Sequence, residues 1–258
     1  MLELRKLVVS VVSHGHGALV QSLLEDLAQL SANVVARVVL TLNLPEPEPV
    51  SGVHGGWPFV LEVRRNVVPA GFAVNHNRAL ENAGESFVGI LNPDVRLEGR
   101  DPFADLVAQA SFLGVGCVYP IQVDEYGGIQ DSERALPTPA ALWRRRIRGQ
   151  QDTRVDWVNA ACLVLPQPVW QAIGGFDERY FMYCEDVDLC LRLRLAGWAL
   201  VRVPVKVVHA GQRNSRRKWR HLRWHVVSLL RLWRSPAYGK TIEWLRTGQA
   251  GTGTISGS

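Results

Sequence analysis

Three carboxylates, Glu185, Asp186 and Asp188, stand within four positions in the stretch YCEDVDLCLRLRLAGW, ahead of a leucine-rich basic run. Two chemistries suit them. A carboxylate at a helix start caps orphan N–H groups and complements the dipole. A carboxylate facing a cleft takes a proton from an attacking hydroxyl if its pKa and reach allow. Once the helix is formed, Glu185 and Asp188 share one side and Asp186 is rotated about 100° away. One can cap while another faces a cleft, and local physics leaves open which is the base.

Other candidates stand at the ends of strand-like runs. Ser13-His14-Gly15 follows LVVSVV, Asn92-Pro93-Asp94 follows FVGIL, and His209 follows VKVV. Asp94 fits either an Asx-Pro turn bonded to local backbone or a hard-metal ligand. One carboxylate plus substrate phosphate oxygens suits Mg²⁺ or Mn²⁺. His209 reads as a core or turn histidine, or as a ligand for metal or phosphate. Asn75 and Asn77 flank His76 in GFAVNHNRAL. They start and cap a helix, or supply amide donors to a nucleotide or sugar, with Gly71 permitting close approach. There is no Walker A stretch and no GxGxxG after the first strand, which removes the usual warrant for P-loop and dinucleotide-binding readings.

The elements that must position these groups alternate. β-Branched runs (LVVSVVS, ARVVLTL, FVLEV, SFVGIL) are separated by helical patterns at Ala18–Leu30 and Gly71–Ala83. That rhythm predicts an α/β fold with a mostly parallel central sheet and flanking helices. Ligands of such sheets bind outside the carboxyl ends of the strands, where the candidates sit. Pro137 to Gly149, with the basic run Arg144-Arg145-Arg146, reads as a loop. Arg216 to Arg234 places Trp219, Leu222, Val226, Leu229 and Trp233 at helical spacing among arginines. This is an amphipathic helix that either lies on an anionic membrane or docks on the core. The expected division is a catalytic domain over 1–211, a basic amphipathic extension over 212–240 and a disordered tail over 241–258.

The chain has 258 residues, 47% apolar and 21% charged, enough for one fair-sized core. Of its 29 basic residues, 13 fall between Leu189 and Ile242 with no acid among them, leaving 16 basic against 24 acidic elsewhere. An acidic body with a basic C-terminal segment fits an anionic surface as partner, membrane before nucleic acid. The four cysteines form no CxxC pair, so free thiols in a reducing compartment are expected. Glu3, His14 and His16 argue against a signal peptide, and no run reaches the length of a membrane span.

Taken together, VVSHG, GFAVNHNRAL, ILNPDVRL, WVNAACLVLP, and above all GGFDERYFMYCEDVDLCLRLRLAGW followed by VVHAG, resemble the GT-A-fold family 2 glycosyltransferases, in their rhamnosyltransferase-like branch. The resemblance runs from about Val8 to about Trp233. It implies inverting, metal-dependent transfer of a sugar from a nucleotide-sugar, with rhamnose from dTDP-rhamnose the first candidate. The implied acceptor is a hydroxyl of a glycan or lipid-linked molecule, as in cell-wall, capsule and O-antigen assembly.

By the same resemblance Asp94 matches the last aspartate of the DxD metal motif, with Asn92 at its first position and His209 as a further ligand. Asp186 matches the catalytic base, supported by Glu185, while Asp188 is structural. Ser13, Asn66, Asn75 and Asn77 match nucleotide-side positions, and Asn43 stands in place of an acidic contact. Phe176, Asp177 and Glu178 match the loop beneath the acceptor. The implied location is the cytoplasmic face of the plasma membrane, peripherally bound, with room for a homodimer. The rival assignments are a nucleotidyltransferase, which would release pyrophosphate, and a non-catalytic membrane-associated scaffold.

Overall fold

The apolar runs become strands because they are buried on both faces, the condition of a central parallel sheet. In the computed structural model, which describes residues 6–52, 54–148, 154–210 and 218–247, the chain opens with β1 (Leu7–Ser13), α1 (Gly17–Leu30), β2 (Val35–Leu42) and β3 (Val60–Arg65). It continues through α2 (Phe72–Leu80), β4 (Phe87–Leu91), β5 (Val95–Arg96), α3 (Pro102–Ala110) and β6 (Val115–Val123). Then come β7 (Glu133–Arg134), α4 (Pro139–Arg148), β8 (Trp157–Val158), β9 (Cys162–Pro166) and α5 (Gln167–Ile173). The last elements are α6 (Glu185–Leu195), β10 (Ala199–His209), α7 (Lys218–Trp233) and α8 (Pro236–Arg246).

Eight strands form one sheet in the order β3-β2-β1-β4-β9-β6-β10-β5, and β7 pairs with β8 apart from it. The β3-β2-β1-β4 half is parallel, as is β6 with β10. β9 runs antiparallel between the halves, and β5 is an antiparallel edge on β10. Alternation divides the core between the two faces. Val88 and Ile90 of β4 join the residues of α2, α5 and α6, whereas Phe87 and Leu91 join those of α1 and α3. Each such fully buried side chain is worth about 1.5–3 kcal/mol of transfer free energy.

The second half departs from the sequence expectations in three places. The segment expected as a loop from Pro137 is helical from Pro139 to Arg148, because Thr138 Oγ1 accepts the Ala141 N–H at 3.0 Å and Pro139 takes the first helical position. The side chains of Arg144, Arg145 and Arg146 lie outside the described residues. The segment expected as tail from 241 is helical to Arg246. Ser235 caps α8, Tyr238 and Thr241 are buried, and the Arg194 guanidinium stands 5.3 Å over the Trp244 ring. Residues 248–258 lie outside the description.

The third concerns α7: of the two readings of the amphipathic helix, docking on the core holds, so the segment is not an extension apart from the sheet domain. Leu232 is fully buried, and Trp233 Nε1 donates to the Pro137 carbonyl at 2.8 Å. The expected apolar stripe is therefore split. Leu229 and Trp233 pack inward, while Trp219, Leu222, Val226, Val227 and Leu230 are exposed. Among the described residues no helix is long and apolar enough to cross a membrane.

Candidate active site

The carboxylate pair is placed by an unusual helix start. Tyr183 and Cys184 adopt positive φ (71° and 66°), and Cys184 is the N-cap of α6 with no side-chain cap bond. Two consecutive non-glycine residues in the left-handed region cost about 1–3 kcal/mol each, so their surroundings must hold them there. The Phe181 carbonyl accepts the Phe72 N–H at 3.0 Å, and the Met182 carbonyl accepts from Ser228 Oγ at 2.8 Å. Tyr183 Oη bonds His221 Nδ1 at 2.7 Å. Helices α2 and α7 thus clamp the turn from either side.

None of the three carboxylates caps the helix by a side-chain bond at its N-cap. Asp188 instead binds Arg192 at 2.6 Å, and Arg192 also donates to the Ile173 and Gly175 carbonyls, which makes Asp188 a structural anchor for the turn after α5. Glu185 is buried, and its Oε2 has no hydrogen-bond partner. Burial and the adjacent Asp186 push its pKa well above the ordinary carboxylate range. Asp186 is raised by burial to about 6, held from going higher by the Val187 N–H and by Arg134. Burial disfavours the charged form of both carboxylates. Glu185 is the more strongly raised of the two, and Asp186, which lines the cleft, could accept a proton near neutral pH.

At the sheet rim, the antiparallel pairing of β5 with β10 sets Val95 opposite His209 and brings Asp94 beside it. His209 Nε2 lies 3.5 Å from Asp94 Oδ1. Gln130, which the sequence did not single out, fixes the histidine: its Nε2 donates to the His209 carbonyl at 2.6 Å and its Oε1 faces His209 Nδ1 at 3.0 Å. Since that oxygen can only accept, Nδ1 carries the hydrogen, and in the neutral tautomer this leaves the Nε2 lone pair on the Asp94 side. Two electron-pair donors facing each other suit a cation between them. Among the described residues no group of three or more His, Cys, Asp or Glu converges as a metal site. A cation here would have these two protein ligands and need oxygens from its substrate.

A cleft of about 360 Å³ joins the two pairs, and Asn43, Asn75, Asn92 and Asp94 line it together with His209, Glu185 and Asp186. Asn43 and Asn75 are buried members of an amide network. Asn66 Nδ2 donates to Asn43 Oδ1 and Asn75 Oδ1, both at 2.7 Å, and both asparagines donate to the Ala70 carbonyl. Asn66 is thus a buttress behind the lining. Asn43 Nδ2 also donates to His14 Nδ1, so His14 Nε2 carries that ring's hydrogen in the neutral form. Ser13 is fully buried, and its hydroxyl accepts the His16 N–H at 3.1 Å, which ties it to the start of α1 and not to the cleft. His14 and His16 line the cleft instead. α1 starts there with no acidic residue in its first turn, but Glu46 reaches its start from outside, accepting the Gly15 N–H at 3.2 Å.

Several residues expected at the site lie elsewhere. Gly71 admits no ligand: a Cβ there would come 2.6 Å from the Phe181 carbonyl oxygen, so it serves packing of the α6 turn on α2. Asn77 points away from the cleft and binds the Phe176 backbone N–H and carbonyl, and Glu178 as well. Phe176 is a buried core ring, edge-on to Trp170 and Phe72. Asp177 is held by Arg179 at 2.5 Å. None of Phe176, Asp177 and Glu178 lines the carboxylate cleft. Conversely Asn159 and Tyr183 line it without having been picked out. An asparagine breaking the apolar run WVNAACLVLP was the available signal for Asn159, which pairs amide to amide with Gln122.

No protein-family model matches the chain. Among curated proteins, the N-acetylglucosaminyl-diphospho-decaprenol L-rhamnosyltransferase of Mycobacterium tuberculosis is 32% identical over 171 residues, 57% of this chain and 56% of that protein. Rhamnosyltransferase WbbL of Escherichia coli is 26% identical over 244 residues, 86% of this chain and 90% of its own length. The chain thus spans about half the length of the mycobacterial relative. Among solved structures, the mannosyltransferase PcManGT of Pyrobaculum calidifontis, in complex with GDP-Man and Mn²⁺, superposes with a TM-score of 0.58 at 17% identity, over 100% of this chain and 77% of that one. TarS of Staphylococcus aureus gives 0.59 at 13% identity, over 90% of this chain and 40% of its own. The chain has the GT-A fold and is homologous to the rhamnosyltransferase-like family 2 glycosyltransferases.

Proposed function

We propose that this protein transfers a sugar from a nucleotide-sugar to an acceptor hydroxyl, with inversion at the anomeric carbon. The observation that carries the reading is the meeting in one cleft of the carboxylates Glu185 and Asp186 with the Asp94–His209 carboxylate–imidazole pair. Asp186 accepts the hydroxyl proton as the acceptor oxygen bonds to the anomeric carbon. The bond from that carbon to the phosphate oxygen breaks, and the nucleoside diphosphate leaves with the electron pair. One displacement with no covalent glycosyl-enzyme inverts the centre. His14 and His16, which line the cleft before α1, are the donors on the side where the diphosphate would lie.

Asp94 and His209 would hold Mg²⁺ or Mn²⁺, which neutralises charge on the leaving diphosphate. The two rhamnosyltransferase relatives favour rhamnose from dTDP-rhamnose as donor, a hexosyl transfer, and a glycan or lipid-linked acceptor of polysaccharide assembly. The exposed face of α7, where Trp219, Leu222, Val226 and Leu230 adjoin Arg223, Arg231 and Arg234, supports peripheral attachment to an anionic membrane, on its cytoplasmic side. A panel of nucleotide-sugars with Mg²⁺ or Mn²⁺, followed by thermal shift and nucleoside-diphosphate release, tests the reading. dTDP-rhamnose should give the largest shift and the fastest release. Another donor winning would replace rhamnose, and silence across the panel would overturn sugar transfer.

A further inference from the structure

The arginines of the C-terminal half divide by what holds them. Arg192 binds Asp188 and two backbone carbonyls, Arg194 lies over the Trp244 ring, and Arg202 binds Glu133 at 3.0 Å. Arg231 of α7 and Arg234 just past its end have no carboxylate partner among the described residues, and Arg234 Nη1 donates to the Leu230 carbonyl at 3.3 Å. Both line a recess of about 390 Å³ where α7 meets α8, and Arg179 joins them there from the loop between α5 and α6. Arg179 has acids behind it: Asp177 binds it at 2.5 Å, and Asp188 acts on it as well. No carboxylate lines the recess itself, and none of its lining residues belongs to the cleft.

Arg231 and Arg234 stand three positions apart, close enough for like charges to repel, and Arg179 adds a third guanidinium. A phosphate group offsets that repulsion. The planar fork of arginine matches its oxygens, and hydrogen bonds between charged partners are about twice as strong as neutral ones. Ser235 is buried at the edge of the recess. Its Oγ accepts the Tyr238 N–H at 3.1 Å and keeps its own hydroxyl hydrogen to donate. The recess thus offers hydrogens from three guanidiniums and a hydroxyl, beside the exposed side chains of Val227 and Leu230. We propose that it is a phosphate-binding site, separate from the cleft and independent of sugar transfer. It takes a phosphomonoester, which carries about −1.5 to −2 charge and three free oxygens, ahead of a phosphodiester. A lipid headgroup and a free phosphate ion both present that chemistry. Two properties set the site apart from attachment by the general charge of α7. It discriminates between anionic surfaces of equal charge, and it needs Arg179, which α7 does not carry.

Calorimetric titration of the whole protein with inorganic phosphate at low salt should give saturable binding. Arg179→Gln and Arg231→Gln should each weaken it about tenfold. Arg223→Gln, on α7 but outside the recess, should leave it unchanged. All three side chains are exposed, so the variants should melt as the unmodified protein does. No binding up to roughly 10 mM phosphate would overturn the site. Binding unchanged by both recess variants would put the ion elsewhere, the cleft included, and would overturn it equally. Vesicles separate the two sources. Sedimentation with phosphatidic acid vesicles, against phosphatidylglycerol vesicles of matched surface charge, should show about a tenfold preference for the phosphomonoester lipid that Arg179→Gln removes. That result makes the ligand a headgroup. Phosphate binding lost in the recess variants, with no preference between the vesicles, would uphold the site and make its ligand a soluble phosphate.

Discussion

Asp186 and Glu185 carry a conflict between stability and chemistry that can be measured. Both have folded-state pKa values above those of the unfolded chain. The unfolded state therefore releases their protons first, and stability falls as pH rises through the window from about 4 to the folded values. Asp186→Asn should consequently abolish transfer and yet stabilise the fold at pH 7, by roughly 1–3 kcal/mol. The gain should shrink toward pH 4, where the native carboxyl is itself protonated. Thermal melts of the two proteins across that range check the sign, and a gain constant with pH would deny the buried charge. Transfer by the unmodified protein should fall on the acid side as Asp186 takes up its proton near pH 6.

At the scale of elements, the site depends on a strained turn pressed between two helices. Gly71 lets the start of α2 approach Phe181, two residues ahead of the left-handed pair Tyr183–Cys184. Gly71→Ala should push that turn outward and carry Glu185 and Asp186 with it. A displacement of about 1 Å costs roughly a hundredfold in rate, against an overpacking cost of only about 1–3 kcal/mol in stability. Turnover should thus fall far more than the melting temperature, with nucleoside-diphosphate binding largely kept. A variant that melts earlier but turns over normally would show that the turn does not position the base. The helix from Glu185 was readable from its leucine and arginine spacing, but its start was not. Acidic residues at a helix N-terminus look like caps in any sequence, and only the packing of Phe181, Met182 and Tyr183 against α2 and α7 gives Cys184 that position.

The whole molecule joins the site to a surface. α7 packs Leu229 and Trp233 on the core and shows Trp219, Leu222, Val226, Val227 and Leu230 to the outside among Arg223, Arg231 and Arg234. Each arginine near an anionic bilayer contributes about 1 kcal/mol. Replacing those three with glutamine should weaken sedimentation with anionic vesicles by roughly a hundredfold, and salt should weaken the unmodified protein likewise. Binding that ignores both changes would leave the exposed stripe to another partner. The split of this helix into a docked side and an open side escaped its heptad-like spacing, since apolar residues occupy both.

What the sequence by itself determined follows from local and periodic physics. Continuous β-branched runs predicted the buried parallel strands, and strand ends located Asp94 and His209. The dense EDVD run marked the carboxylates. What only the tertiary structure decided concerns partners distant in the chain. Which asparagine lines a cleft and which braces a loop depends on the Asn43–Asn66–Asn75 network. That Asp94 meets His209 follows from β5 closing the edge of β10, across more than a hundred residues of chain. That Phe176 is core and Asn159 is lining depends on which face of a turn the rest of the domain covers. A motif specifies a residue's chemistry, but its surroundings are set by long-range packing, and no spacing rule along the chain contains that packing.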